Sequence, residues 1–442
     1  VTGRPRPPTG ASFVVALVLA ALVVLPGCGP GLREGADPRG GGAVPEEVTR
    51  DGAWCWFADP RAVSFEGEHS RTYTGWTDSS GRVWAASIDH ETGRVDSTFV
   101  RGYGSADDHA SPAVVVRPTG HVSLFYSAHG GSEIEYVVSL RPEDVGGWSV
   151  PRSLAPGDGP VAHGFTYPSP VLLPGEDGRL YLFYRNRSMK PAFVRTEPTG
   201  AWSGEHVLVS GDVDDSYLKC AGDGGSVIHL AFTDGHPRGR PHNSIHYAAY
   251  SGGAFRRADG ALICELAGLP FRAADADLVY DAADGGARSW VWDVAADPEG
   301  RPVIVYAVFP RKSDHRYRYA RWNGTSWSDH EIVSAGGWFP DTPHGEEEKE
   351  FYYSAGVTLD HDDPSVVYLS RRVRGAFEIE RWETTDGGET WRTEAVTSGS
   401  SLDNVRPVVP RSSVPGGVRL VWMAGPYVSY EDFGTSVYML RD

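Results

Sequence analysis

His109 and His129 stand near the two ends of DDHASPAVVVRPTGHVSLFYSAHGG, residues 107–131. Imidazole changes charge near neutral pH, so two such rings can serve as base and acid in one reaction. Between them, PAVVVRP and VSLFYSA read as two short strands joined by a Gly-containing turn, a β-hairpin. A hairpin carries both of its open ends on one side and its turn on the other, so both rings face the same way.

The hairpin is one piece of a recurring unit: a strand rich in Tyr, Val and Ala, a Gly-containing turn, then an aromatic that starts the next strand. The unit ends at Trp148, Trp202, Phe255, Trp327 and Trp391, with a weaker copy ending near Val95. Copies lie roughly 50 to 70 residues apart, a spacing typical of propeller blades or solenoid turns. TTDGGETW, before the last copy, also matches the Asp-box turn S/T-x-D-x-G-x-T-W. The tail supplies three more strands, NVRPVVPR, VRLVWMAG and TSVYMLRD, one short of a blade. The leftover DGAWCWF at residues 51–57 is expected to add the fourth and close the ring. The reading is an all-β, seven-bladed β-propeller whose last blade is completed by an N-terminal strand.

In a propeller blade the first two strands form a hairpin beside the central channel, so the rule for His109 and His129 extends to every blade. It places Tyr167, Arg185 and the adjacent Tyr184 of blade three at the same mouth, with Tyr217, Lys219, His236 and Arg238 of blade four. Blade one contributes Trp56 and Trp76, blade six Tyr353 and Arg371, and blade seven Arg406. Guanidinium groups pair with carboxylates and indoles stack on sugar rings, so the expected ligand is an anionic sugar. His361, in the turn TLDHDDPSVVYL, falls on the opposite face.

DGAWCWFADPRAV, DDHASPAVVVRPTGHVSLFYSAH, TYPSPVLL, LYLFYR, AFTDGHPRG, HNSIHYAAY, ADGALI, DHRYRYARW and AGVTLDHDDPSVVYLSR together resemble the BNR-4 repeat family. Within it, the chain is similar to the ulvan lyases of polysaccharide lyase families 24 and 25, from about residue 51 to the C-terminus. That resemblance implies a seven-bladed propeller that cleaves beside a uronic acid with two histidines, a tyrosine and an arginine. The matching positions are His109, His129, Tyr167 and Arg185. Arg185 would pair with the uronate carboxylate, one of the histidines would take the C5 proton, and Tyr167 would protonate the leaving oxygen or share the base role. No cofactor is required, although a structural zinc or calcium ion is compatible with the pattern. Two alternatives stay open: a glycoside hydrolase acting on rhamnose–glucuronate linkages, with Asp59, Asp78, Asp107, Asp108 and Asp234 as candidate carboxylates, and a non-catalytic glycan-binding lipoprotein.

A chain of 442 residues with 54 Gly, 32 Pro, 14 Trp and 20 Tyr has the composition of a turn-rich β protein. Its formal charge of −17 argues against nucleic acid and, by itself, against any polyanion. A cluster of Arg185, Arg187, Lys190, Lys219, Arg238, Arg371 and Arg406 at the mouth would override that sum locally. At the N-terminus, Arg4 and Arg6 precede the apolar ASFVVALVLAALVVLPGC, which reads as a secretory signal ending in a lipobox. The expected organisation is a signal to residue 28 with lipidation at Cys28, a tether over 29–48 and a catalytic propeller over 49–442. This predicts an exported or cell-surface monomer that meets the membrane only through its lipid. Cys55, Cys220 and Cys264 remain; they read as buried thiols, with a Cys220–Cys264 bridge not deducible from spacing.

Overall fold

The computed structural model describes residues 44–157, 163–210, 215–337, 339 and 352–442. The signal segment, Cys28 and the acidic GEEEKE at 345–350 lie outside the described residues, as does the tether up to residue 43. Seven antiparallel sheets follow one another along the chain: blades 1 to 6 span 62–102, 113–154, 166–207, 218–280, 288–336 and 357–395, and blade 7 spans 404–441. Among the described residues, the helical elements are short 3-10 turns alone.

Each repeat aromatic marks the turn into the outer strand of its blade. Trp148 bridges to Ser139, Trp202 to Thr196, Phe255 pairs with Tyr250 and Trp327 with Trp322. The Asp-box forms as its sequence implies: Asp386 accepts from the backbone and hydroxyl of Thr390 and from the Thr384 hydroxyl. Blade 4 departs from the pattern because its fourth position is built in two pieces. Ala254–Arg256 pairs with one end of Ile245–Ser251 and Asp277–Tyr280 with the other.

Adjacent blades bury their faces against each other, as Val171, Phe183 and Phe193 of blade 3 do against Ile228, Leu230 and Phe232 of blade 4. Each such side chain contributes about 1.5–3 kcal/mol when fully buried. The strands nearest the channel are buried on both faces, and Ala113–Val116 accordingly reads as a continuous apolar run.

The ring does close with an N-terminal strand, but a different one from that expected. Glu46–Thr49 pairs with Ser436–Arg441, and Glu46 accepts from Arg441 at 2.9 Å. The strand therefore includes the last residues of the segment assigned to the tether. Asp51–Phe57 instead leaves the edge and enters the channel. Trp54 N donates to the Met423 Sδ of blade 7 at 3.4 Å, and Cys55 N donates to Asp108 O before blade 2. Trp56 stacks on Trp292 of blade 5 at 4.5 Å, and Phe57 packs on Tyr167 and Tyr217 of blades 3 and 4. Fully buried Arg61 secures this plug by donating to the carbonyls of Cys55, Phe57, Ala58 and Pro112. Below it, the channel keeps a void of about 30 Å³.

Removal of residues 46–49 should lower the unfolding free energy by about 2 kcal/mol, since a few net hydrogen bonds and two solvent-facing ion pairs, Glu46–Arg441 and Glu47–Arg50, are lost. Thermal unfolding of chains beginning at 44 and at 50 checks this; equal midpoints would show that the strand does not stabilise the ring.

Candidate active site

His109 lies in a 3-10 turn, Asp108–Ala110, capped by Asp107. The Asp107 carboxylate accepts from His109 N at 3.0 Å and from His109 Nδ1 at 2.7 Å, and its second oxygen lies 3.3 Å from His129 Nδ1. One carboxylate thus holds both rings by the same nitrogen. The rings stack in parallel, 3.9 Å apart with 3° between their planes. Tyr430 stands edge-on to both, at 4.9 and 5.5 Å.

The two rings differ in exposure: the His109 side chain is 4% exposed and that of His129 33%. Burial opposes charge on His109, but Cys55 and the Asp107 and Asp108 carboxylates beside it outweigh that and hold its pKa well above the ordinary imidazole value. Burial pushes the Cys55 thiol itself up, against the pull of His109. For His129, burial and the neighbouring His109 charge lower the pKa, against the pull of Asp107. Near neutral pH the pair therefore carries one charge, on the inner ring.

His129 reaches this position because its loop is stitched to blade 3. Gly131 exchanges backbone hydrogen bonds with Phe165, and Gly130 N donates to Thr166 Oγ1 at 3.0 Å. The approach needs glycine at 164, where a Cβ would meet Gly130 O at 1.9 Å. Tyr167 follows in a left-handed conformation, φ 62°, at a break in strand register. That strained backbone turns the phenol ring to within 5.5 Å of His109. Burial keeps the Tyr167 phenol protonated well beyond its usual range.

Arg185 ends the second strand of blade 3 and lies over the rings of Tyr167, at 4.8 Å, and Tyr217, at 5.4 Å. Its Nη1 donates to Asp215 at 2.8 Å and to the Tyr217 hydroxyl at 3.1 Å. Tyr217 continues to His236, whose ring also packs on Trp290. Burial and nearby Arg238 depress the His236 pKa to about 3, leaving it neutral. Arg238 itself is exposed beyond His236.

Other expected mouth residues lie elsewhere. Trp76 is buried in a cluster with Trp54 and Met423, not at the mouth. Trp56 is also buried, with Tyr353 and Trp290 edge-on to it, and so forms the floor below the site. Tyr184 points away from Arg185 and donates to Glu205. Lys219 turns into the channel, onto Asp59 and Trp56 O. Arg371 is engaged by both oxygens of Glu380. Arg406 is buried against Asp108 and Tyr427. Lys219, Arg371 and Arg406 thus give little positive field to the mouth. His361 is at the opposite end of the channel, where it pairs with Asp293 and borders a cavity of about 360 Å³.

Three residues at the site went unremarked in the sequence: Tyr430, Asp215 and Trp290. Tyr430 obeys the hairpin rule, since it follows the second strand of blade 7 in the extra hairpin Tyr427–Ser429 and Asp432–Phe433. Among the described residues, two groups could gather around an ion: Cys55 with Asp108 and His109, and Asp107 with His109 and His129. Both use His109, whose Nδ1 already donates to Asp107. Among the described residues Cys55, Cys220 and Cys264 are free, and Cys264 is partly exposed rather than buried.

A family model described as BNR repeat-containing family member matches residues 71–335. An ulvan lyase of Nonlabens ulvanivorans is 21% identical over 401 residues, covering 76% of this chain and 79% of that protein. A polysaccharide lyase of family 25, an ulvan lyase solved with -[GlcA(1-4)Rha3S]- bound, superposes with a TM-score of 0.69 at 16% identity, over 90% of this chain and 95% of that one. The polysaccharide lyase Uly1 superposes with a TM-score of 0.57 at 13% identity, over 89% and 97%. These likenesses establish the propeller fold.

Side-chain NMR of labelled histidine should show His129 losing its proton below the ordinary imidazole value and His109 keeping its own well above it. Asp107→Asn should bring the His109 transition down. A His109 that titrates at the ordinary value in the wild-type protein would contradict the assigned charges.

Proposed function

The chain belongs to the BNR repeat-containing family, and from that premise we propose that it is a polysaccharide lyase that cleaves beside a uronic acid by β-elimination. The observation that carries the reading is the meeting of a neutral, accessible imidazole, a protonated phenol and a guanidinium at one mouth. These are the base, the acid and the charge neutraliser that elimination from a uronate needs.

In this scheme the substrate carboxylate pairs with Arg185, which makes the C5 proton acidic. The outer ring, His129, takes that proton with the nitrogen that does not face Asp107. The C–H electrons form the C4=C5 double bond as the C4–O4 bond breaks, and O4 receives the Tyr167 proton. His109 remains charged behind His129 and keeps it deprotonated before the reaction. The scheme draws on no cofactor, and a bound zinc or calcium ion would be structural. Activity should rise with pH as His129 loses its proton. It should fall again where His109 or Tyr167 ionises, well above neutrality.

The substrate class follows from the relatives. One of them binds a glucuronate–sulfated rhamnose unit, and ulvan or a similar rhamnose–uronate polymer is the proposed substrate here. Such a polymer is too large to enter a cell, which accords with an exported monomer anchored through Cys28. The hydrolase reading is disfavoured because its candidate carboxylates have other partners: Asp59 holds Lys219, Asp78 caps a turn with Arg82, Asp108 holds Arg406 and Asp234 holds His246. Asp107 is engaged by the histidine pair.

The test is ultraviolet absorbance of the unsaturated product when the protein is mixed with ulvan and other uronate polysaccharides. His129→Ala and Tyr167→Phe should each reduce the rate by about 10²–10⁴. New reducing ends without that absorbance would establish hydrolysis instead, and binding with neither would leave a lectin.

A further inference from the structure

Asp215 sits on Arg185 in the manner of a ligand. Its side chain is 32% exposed whereas that of Arg185 is 6% exposed, so the carboxylate lies on the solvent side of the guanidinium. Among the described residues a single hydrogen bond holds it, from Arg185 Nη1 at 2.8 Å. The structural carboxylates nearby are held more firmly. Asp107 engages both histidines, and Asp108 accepts from Arg406 and Tyr427. Asp215 also adopts a left-handed backbone, φ 57°, and burial raises its pKa against the pull of Arg185. Both features cost free energy in the resting state. Among the described residues, Arg185 Nη2 has no hydrogen-bond partner, so one edge of the guanidinium is unused.

We propose that Asp215 is a resident substitute for the substrate's carboxylate: it occupies Arg185 in the free protein and yields that place when a uronate binds. This rests on the reading of Arg185 as the carboxylate site. The exchange trades one carboxylate for another on the same guanidinium, so a single uronate gains little and a polymer must supply the difference through sugars bound further along the mouth. Asp215 therefore sets selectivity for long chains over free uronic acids.

The probe is glucuronic acid, with its uncharged methyl ester as control, titrated calorimetrically into the wild-type protein and Asp215→Asn. Asparagine can still accept from Arg185 and gives up only the charge. Affinity for glucuronate should rise about tenfold in the variant, with that for the ester unchanged, and KM for the polymer should fall. Asp215→Ala should behave likewise. Equal or weaker glucuronate binding in both variants would overturn the proposal and make Asp215 a fixed support for Arg185; so would absence of glucuronate binding in every protein. Gain of glucuronate affinity without elimination of any polymer would leave this inference standing and remove the lyase reading.

Discussion

The pair formed by Arg406 and Asp108 joins three parts of the molecule that are far apart in sequence. Arg406, on the channel strand of blade 7, donates to Asp108 ahead of blade 2, to Trp54 O in the plug and to the Tyr427 hydroxyl at 2.9 Å. Tyr427 in turn donates to Asp108 at 2.6 Å. Both charges are fully buried, so loss of either partner would leave the other uncompensated, at a cost of about 3–5 kcal/mol. Arg406 holds a left-handed backbone, φ 51°, to make these contacts. The turn that carries His109 is fixed by this pair from below and by Asp107 from above.

Charge in the site is arranged in layers. Asp108 is neutralised by Arg406, and Asp107 is left to the histidines, where it supports one proton on the inner ring. Burial, together with repulsion from a ring stacked 3.9 Å away, then keeps the outer ring neutral. A single isolated imidazole would be partly charged near neutrality; the partner ring removes that ambiguity. Arg185 adds to the same effect on His129 from the blade 3 side.

Blade number and the mouth that gathers His109, His129, Tyr167 and Arg185 were legible in the sequence because both follow from local geometry: turn signals fix the repeat, and hairpin ends share a side. The same rule failed inside strands, where successive side chains face opposite ways. Tyr184 is next to Arg185 and so must point away from it, while Lys219 lies within its strand and faces the channel. The closing strand was missed because EEVT is short and polar, with no apolar alternation to reveal it. Nothing local couples Asp215 to Arg185 thirty positions earlier, and Tyr430 reaches the histidines only once blade 7 is seated beside blade 2.

The aromatic plug gives the mouth a floor. Trp56, Phe57 and Trp290 lie beneath the histidine face, and the other end of the channel, with His361, is walled off from it. Nothing longer than a side chain can thread such a ring. Whatever meets the histidine face therefore meets it from one side, over a bed of indole and phenyl rings.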